Sequence, residues 1–260
     1  MTAQELTSEA SDTPAAAAAG PQPGRLRRVA PWTPVPLLAM HAFAFHSARY
    51  LSRRHGITQY ISLCSADGFG AGAAFRARPC TGVPDATFIH VAPPTSSPQG
   101  PGRACVLRHD RTVFHGVLPL LRGHAVETLD RRRPVGILVD NLGPWASSFA
   151  DLLFTLNTLR GWLPPGSAIA LTHPTDDDTA GPRRHALARG RRAAAVLARE
   201  AGCSFRPLTH AQISSLLHPW PLTEHGLAPT SAFLADLRRA APSTRPCGSY
   251  AAIALHPEAT

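Results

Sequence analysis

The apolar positions change period along the chain, and each change marks an element. Over 38–55, Phe43, Tyr50 and Leu51 recur at helical spacing and Gly56 follows at once, which predicts a helix with a glycine stop. Residues 57–64 (ITQYISLC), 86–91 (ATFIHV) and 103–107 (RACVL) are short apolar-rich runs and read as strands. The run 134–142 (PVGILVDNL) is nearly continuous in apolar groups, as suits a parallel strand buried on both faces, and it ends in the polar pair Asp140-Asn141. Over 147–163, Phe149, Leu152, Leu153, Leu156, Leu159 and Trp162 line one side of a helix that Pro164-Pro165-Gly166 stops. Further strands are predicted at 167–173, 203–208 and 248–256, and further helices at 112–130, 182–201 and 211–217. Strands alternating with helices at this spacing mean an α/β domain with a mostly parallel sheet, and such sheets bind ligands at the carboxyl ends of their strands.

Composition sets the boundaries of this domain. Residues 1–24 are Ala-, Pro- and Ser-rich with few large apolar groups, and Pro31, Pro34 and Pro36 are expected to keep the chain extended to about Leu37. The expected organisation is a disordered leader at 1–36 and one folded domain at 37–260. The net charge is +9, and because Glu5, Glu9 and Asp12 lie in the leader, the remainder is more basic still. All 26 basic side chains are Arg, so Lys chemistry is excluded: no Schiff base, no Lys general base and no phosphate-loop Lys. No apolar run reaches the ~18 residues of a membrane span, and the first residues lack the basic-then-apolar order of a secretory signal. The five cysteines are scattered without a C-x-x-C pair, and the 13 histidines fall in no H-E-x-x-H or paired spacing. The expectation is a cytoplasmic protein with no disulfide framework, no bound metal and no membrane contact.

Several blocks, in order, carry a resemblance. They are Met40-His41-Ala42-Phe43, Ala48-Arg49-Tyr50-Leu51, Gly56-Ile57-Thr58-Gln59-Tyr60, Arg133-Pro134-Val135, Leu163-Pro164-Pro165-Gly166-Ser167, Leu171-Thr172-His173, Phe205-Arg206, Gly226-Leu227 and Tyr250-Ala251-Ala252-Ile253. Across roughly 38–256 the chain resembles the actinobacterial S-adenosyl methyltransferase family. That resemblance implies a class I methyltransferase-like Rossmann fold, with a mostly parallel seven-stranded sheet flanked by helices, and S-adenosylmethionine as cofactor. It also exposes departures. The family's D-x-G-x-G pattern after the first strand falls on Ser62, Cys64 and Ala66, in a loop that continues through Ser65 to Gly68, Gly70 and Gly72. Glycine there lets backbone approach the cofactor, and Cys64 and Ala66 carry β-carbons instead. The acid that accepts the ribose hydroxyls falls on Val91, between His90 and Ala92. A hydrogen bond to a charged group contributes ~1.5–3 kcal/mol, so losing two weakens binding by about a hundredfold or more. The family's Arg-Val-Tyr-Asp-Tyr and Gly-Gly-Lys front segment is replaced by a Pro-rich stretch. His109 and Asp110, after the third strand, fall where such enzymes contact the adenine; Asp110 would equally cap a helix at 112.

Three residues are candidates for the chemistry. Asp140 and Asn141 end the buried fourth strand, where a carboxylate could orient a nucleophile or act as a base, or where both could simply form a turn. His173, after the fifth strand, could lie across the mouth from Asp140, or could be satisfied by backbone. Asp176-Asp177-Asp178 resembles a metal cluster but reads better as helix capping. Arg183, Arg184, Arg191, Arg192 and Arg199 share one helix face, yet no aromatic residues interleave with them, which disfavours nucleic acid as a partner. Two readings lead, a methyltransferase acting on a small-molecule or protein acceptor through an altered cofactor loop, and a pseudo-methyltransferase serving as a binding or regulatory scaffold; an Arg-mediated nucleic-acid binder stays open behind them.

Overall fold

Strand β1 (Gln59–Leu63) is buried at all five positions, and β4 (Gly136–Val139) at all four, because both lie in the middle of a sheet covered on its two faces. The computed structural model describes residues 34–63, 82–83, 85–92, 104–108, 127–139, 148–175, 177, 207–238 and 248–257. Its other strands are β2 (Thr87–Ala92), β3 (Ala104–Arg108), β5 (Ala168–Pro174), the two-residue β6 (Ala228–Pro229) and β7 (Ser249–Leu255). The order across the sheet is β3-β2-β1-β4-β5-β7-β6. Strands β1 to β5 pair in parallel, and β7 inserts antiparallel to β5 and β6.

The expected seven-stranded sheet needs correction. Six strands have four residues or more, and the seventh element is a two-residue edge pairing, Ala228↔Ala251 and Pro229↔Tyr250. The strand expected at 203–208 falls largely outside the described residues, and its last residue, Leu208, makes a single parallel bridge to Thr175. A two-residue strand containing proline has no periodicity, so no sequence pattern could announce it.

Among the described residues four helices cover the sheet: α1 (Pro34–His55), α2 (Phe149–Trp162), α3 (His210–Leu217) and α4 (Thr230–Arg238). Helix α1 starts at Pro34, not at Leu38. The backbone expected to be extended there is helical, since proline fits the first turn, where its missing N–H has no partner to lose. It stops at Gly56, whose φ of 64° is the left-handed helix cap that glycine adopts freely. Helix α4 was not expected. The helix expected at 182–201 lies outside the described residues, as does 112–126 of the one expected at 112–130; of its described end, 127–128 is helical and 129–130 is not.

The two faces of the sheet carry separate cores. On one, Leu152, Leu156 and Leu159 of α2 and Ile213 and Leu216 of α3 pack on the odd-numbered side chains of β1, β4 and β5, such as Ile61, Ile137 and Ile169. On the other, Phe43 and Leu51 of α1 and Phe233 of α4 pack on Tyr60, Phe88 and Leu138. The Phe43 and Phe233 rings meet edge to face at 5.2 Å and join α1 to α4.

Polar groups fix β1 beside β4 at the amino end of the sheet. The Gln59 amide donates to the carbonyls of Asp130 (2.7 Å) and Arg133 (3.0 Å), and its oxygen accepts from the Asp130 N–H (3.0 Å). The turn feeding β4 is thus held by the first residue of β1. Gly136 then lies flat against the Tyr60 ring, where a β-carbon would sit 2.6 Å from it. The Tyr60 hydroxyl is within 2.9 Å of the Ala48 carbonyl and 2.7 Å of the Ile57 carbonyl, so this ring cannot retreat cheaply.

Candidate functional site at the carboxyl edge of the sheet

The chain lays down β1, β2 and β3 outward in one direction, then crosses back to place β4 on the other side of β1. This reversal makes the carboxyl ends of β1 and β4 a switch point, where open α/β sheets form their ligand crevice. Five parallel strands end at this edge, at Leu63, Ala92, Arg108, Val139 and Pro174, and antiparallel β7 begins there, with Ser249 opposite Pro174.

On the α1 face, Ser62 and His90 are register partners across β1 and β2, and both are buried. The His90 ring stacks on Phe88 at 5.8 Å, and Phe88 stacks on Tyr60 at 4.9 Å, so an aromatic column under α1 fixes the imidazole. Helix α1 adds buried Ser47, one turn from Phe43 and from Leu51; its hydroxyl has no hydrogen-bond partner among the described residues. Val91 takes the opposite face by strand alternation and is wholly enclosed in the α2/α3 core, so its side chain offers nothing polar to the edge.

On the α2/α3 face, β5 outruns β4. The last β4–β5 pair is Val139↔Leu171, and His173 lies two residues beyond it. His173 is fully buried. Its Nδ1 is 2.9 Å from the Pro174 carbonyl, which can only accept, so Nδ1 carries the proton. Burial pushes its pKa down to about 4, against a smaller upward pull from that hydrogen bond. The ring is therefore neutral, and Nε2 presents a bare lone pair with no partner among the described residues. Tyr250 of β7 is its register partner, and the Tyr250 ring meets that of His210, at the start of α3, edge-on at 5.3 Å.

Beside them Thr209 caps α3, and the Asp177 carboxylate accepts from the His210 N–H at 2.5 Å, while its own N–H donates to the Thr175 hydroxyl. The helix from 182 that the Asp run was expected to cap lies outside the described residues, as do Asp176 and Asp178. Among the described residues no group of three His, Cys, Asp or Glu could hold a metal, and no helix is long and apolar enough to cross a membrane.

Of the sequence candidates, Ser62, Val91 and His173 are placed as above. Cys64, Ser65, Ala66, Gly68, His109, Asp110, Asp140 and Asn141 lie outside the described residues. The contributions of Tyr250, His210 and Thr175 were not foreseen as parts of the site. Only the antiparallel return of β7 sets residue 250 beside residue 173, and no local pattern carries that pairing.

The chain matches no family model and no curated protein. Solved structures match it in fold. A DUF574 family protein from Streptomyces avermitilis is 19% identical, with 90% of this chain and 88% of that one covered and a TM-score of 0.64. A candidate methyltransferase from Thermobifida fusca is 18% identical, with 90% and 86% covered and a TM-score of 0.63. The chain thus has the α/β fold of these proteins, a class I methyltransferase-like sheet in strand order and direction.

Proposed function

We propose that this protein is an S-adenosylmethionine-dependent methyltransferase whose cofactor lies across the carboxyl ends of β1 and β2. The observation that carries the reading is the strand order, with its reversal between β1 and β4 and its long antiparallel strand β7. The described residues fit a nucleoside in part. Ser62 and His90 are polar residues near the two strand ends, and no carboxylate stands beside them on the described part of β2. The cofactor, when bound, supplies a methyl group activated on a sulfonium. The chain's own share of the work is to orient an acceptor toward that methyl and to exclude water, and orientation alone is worth several orders of magnitude in rate.

Val91 favours a second reading. Its enclosure in the core puts an apolar group where the resemblance asks for an acid, and a scaffold that has lost its cofactor would tolerate this. Isothermal titration of the full chain with S-adenosylmethionine and with its demethylated product decides between the two. Saturable heat with both ligands, at affinities about a hundredfold weaker than an acid-bearing site would give, is expected. No heat up to millimolar ligand would leave only the scaffold.

A further inference from the structure

Buried polar atoms are almost always hydrogen-bonded, and each exception calls for a reason. The described residues hold several, and their places in the fold differ. Trp162 Nε1 and Arg160 Nε belong to the last turn of α2, which leads into β5 at the amino edge of the sheet. His173 Nε2 is at the carboxyl edge, at the end of β5, with Tyr250 as its register partner.

The Pro174 carbonyl holds the Nδ1–H, so the tautomer is set, and Nε2 can only accept. A lone pair in this position repels the oxygens of a carboxylate or phosphate. The desolvation that keeps the imidazole neutral equally opposes an ammonium group, since no buried carboxylate accompanies it among the described residues. What remains is a neutral group that donates, and a hydroxyl is the smallest such group that an organic ligand carries. The half-buried Tyr250 ring on the neighbouring strand, braced by His210, offers a flat apolar wall beside it.

We propose that His173 is a positioning residue that accepts a hydrogen bond from a neutral hydroxyl of an aromatic methyl acceptor, and that it does not serve as a base. The naming of that ligand as a methyl acceptor rests on the methyltransferase reading; the hydroxyl site itself does not.

Nitrogen-resolved NMR of the full chain with isotope-labelled histidine tests this, with phenol as the probe and His173→Asn to assign the resonances. In the free protein at neutral pH, Nδ1 should appear protonated and Nε2 bare. Phenol should move the Nε2 resonance in a saturable way, whereas anisole, which lacks the O–H, and benzoate, an anion, should not. Asn keeps a donor for the Pro174 carbonyl but places nothing at Nε2, so H173N should bind phenol about tenfold more weakly or worse and keep its affinity for S-adenosylhomocysteine. If H173N does not fold, His173→Gln serves instead; it retains an acceptor near the Nε2 position and should retain phenol binding. A protonated Nε2, silence toward phenol, or an equal response to anisole overturns the proposal. A phenol response without S-adenosylhomocysteine binding removes the cofactor reading and leaves the hydroxyl site standing. Cofactor binding with a silent Nε2 does the reverse.

Discussion

His173 shows how one buried side chain links stability to pH. Its folded pKa of about 4 lies below the ~6.5 of a free imidazole, so the folded state resists a proton that the unfolded chain accepts. The stabilisation from keeping the ring neutral is therefore complete above about pH 6.5 and is lost as pH falls toward 4. At about 1.4 kcal/mol per unit the loss approaches 3 kcal/mol. Urea unfolding at a series of pH values should show this fall in the wild type, and H173N should show a flatter profile over the same interval. Parallel profiles would mean that the ring is not held neutral. Tyr50 is a milder case: its phenol donates to Glu224 at 2.9 Å and its pKa is pushed up to about 12, yet the contact is exposed and contributes little.

Two glycines separate space from backbone conformation at the scale of the elements. Gly56 ends α1 at a φ of 64° with open space where a β-carbon would be. Gly136 opens β4 with that space already filled by the Tyr60 ring. Gly56→Ala should cost about 1 kcal/mol, from left-handed backbone alone. Gly136→Ala should cost about 1–3 kcal/mol, because it must displace a ring whose hydroxyl is tied to α1. Thermal unfolding of the pair checks the order, and a larger loss at Gly56 would contradict the packing of Gly136 against Tyr60. Local pattern announced α1, α2 and β4 well: a stripe of Leu at helical spacing, or a run such as Ile137-Leu138-Val139, admits few alternatives. It missed α4 because Pro229 and the small residues at its start mask a short helix whose apolar groups, Phe233 and Leu234, are few.

The whole molecule is a sheet whose protection should fall from its centre to its edges. Strands β1 and β4 are paired on both sides and covered on both faces, while β3 and β6 are edges. Hydrogen exchange should be slowest at 60–63 and 136–139 and fastest among the strands at 104–108 and at Ala228, the one residue of β6 with an N–H. Equal protection of β3 and β1 would be incompatible with this order. The candidate site draws on both faces of the same sheet, Ser62 and His90 beneath α1 and His173 with Tyr250 on the α2/α3 side. Of these, Ser62 was legible as a candidate through the resemblance, which sets the family's acid on it, and His173 because it ends a predicted strand. Tyr250 and His210 were not, since their relevance comes from the fold's closing strand.

What the sequence determined by itself is the alternation of helices and strands, the buried character of the central strands and the exclusion of Lys chemistry. Those follow from local spacing and composition, which act over a few residues. Which strands are neighbours was decided by the tertiary structure alone: β4 beside β1, and β7 turned antiparallel between β5 and β6. Strand order depends on contacts between residues far apart in the chain, such as Gln59 with the turn at Asp130 and His173 with Tyr250. It is this order that places the switch point, and with it the candidate site.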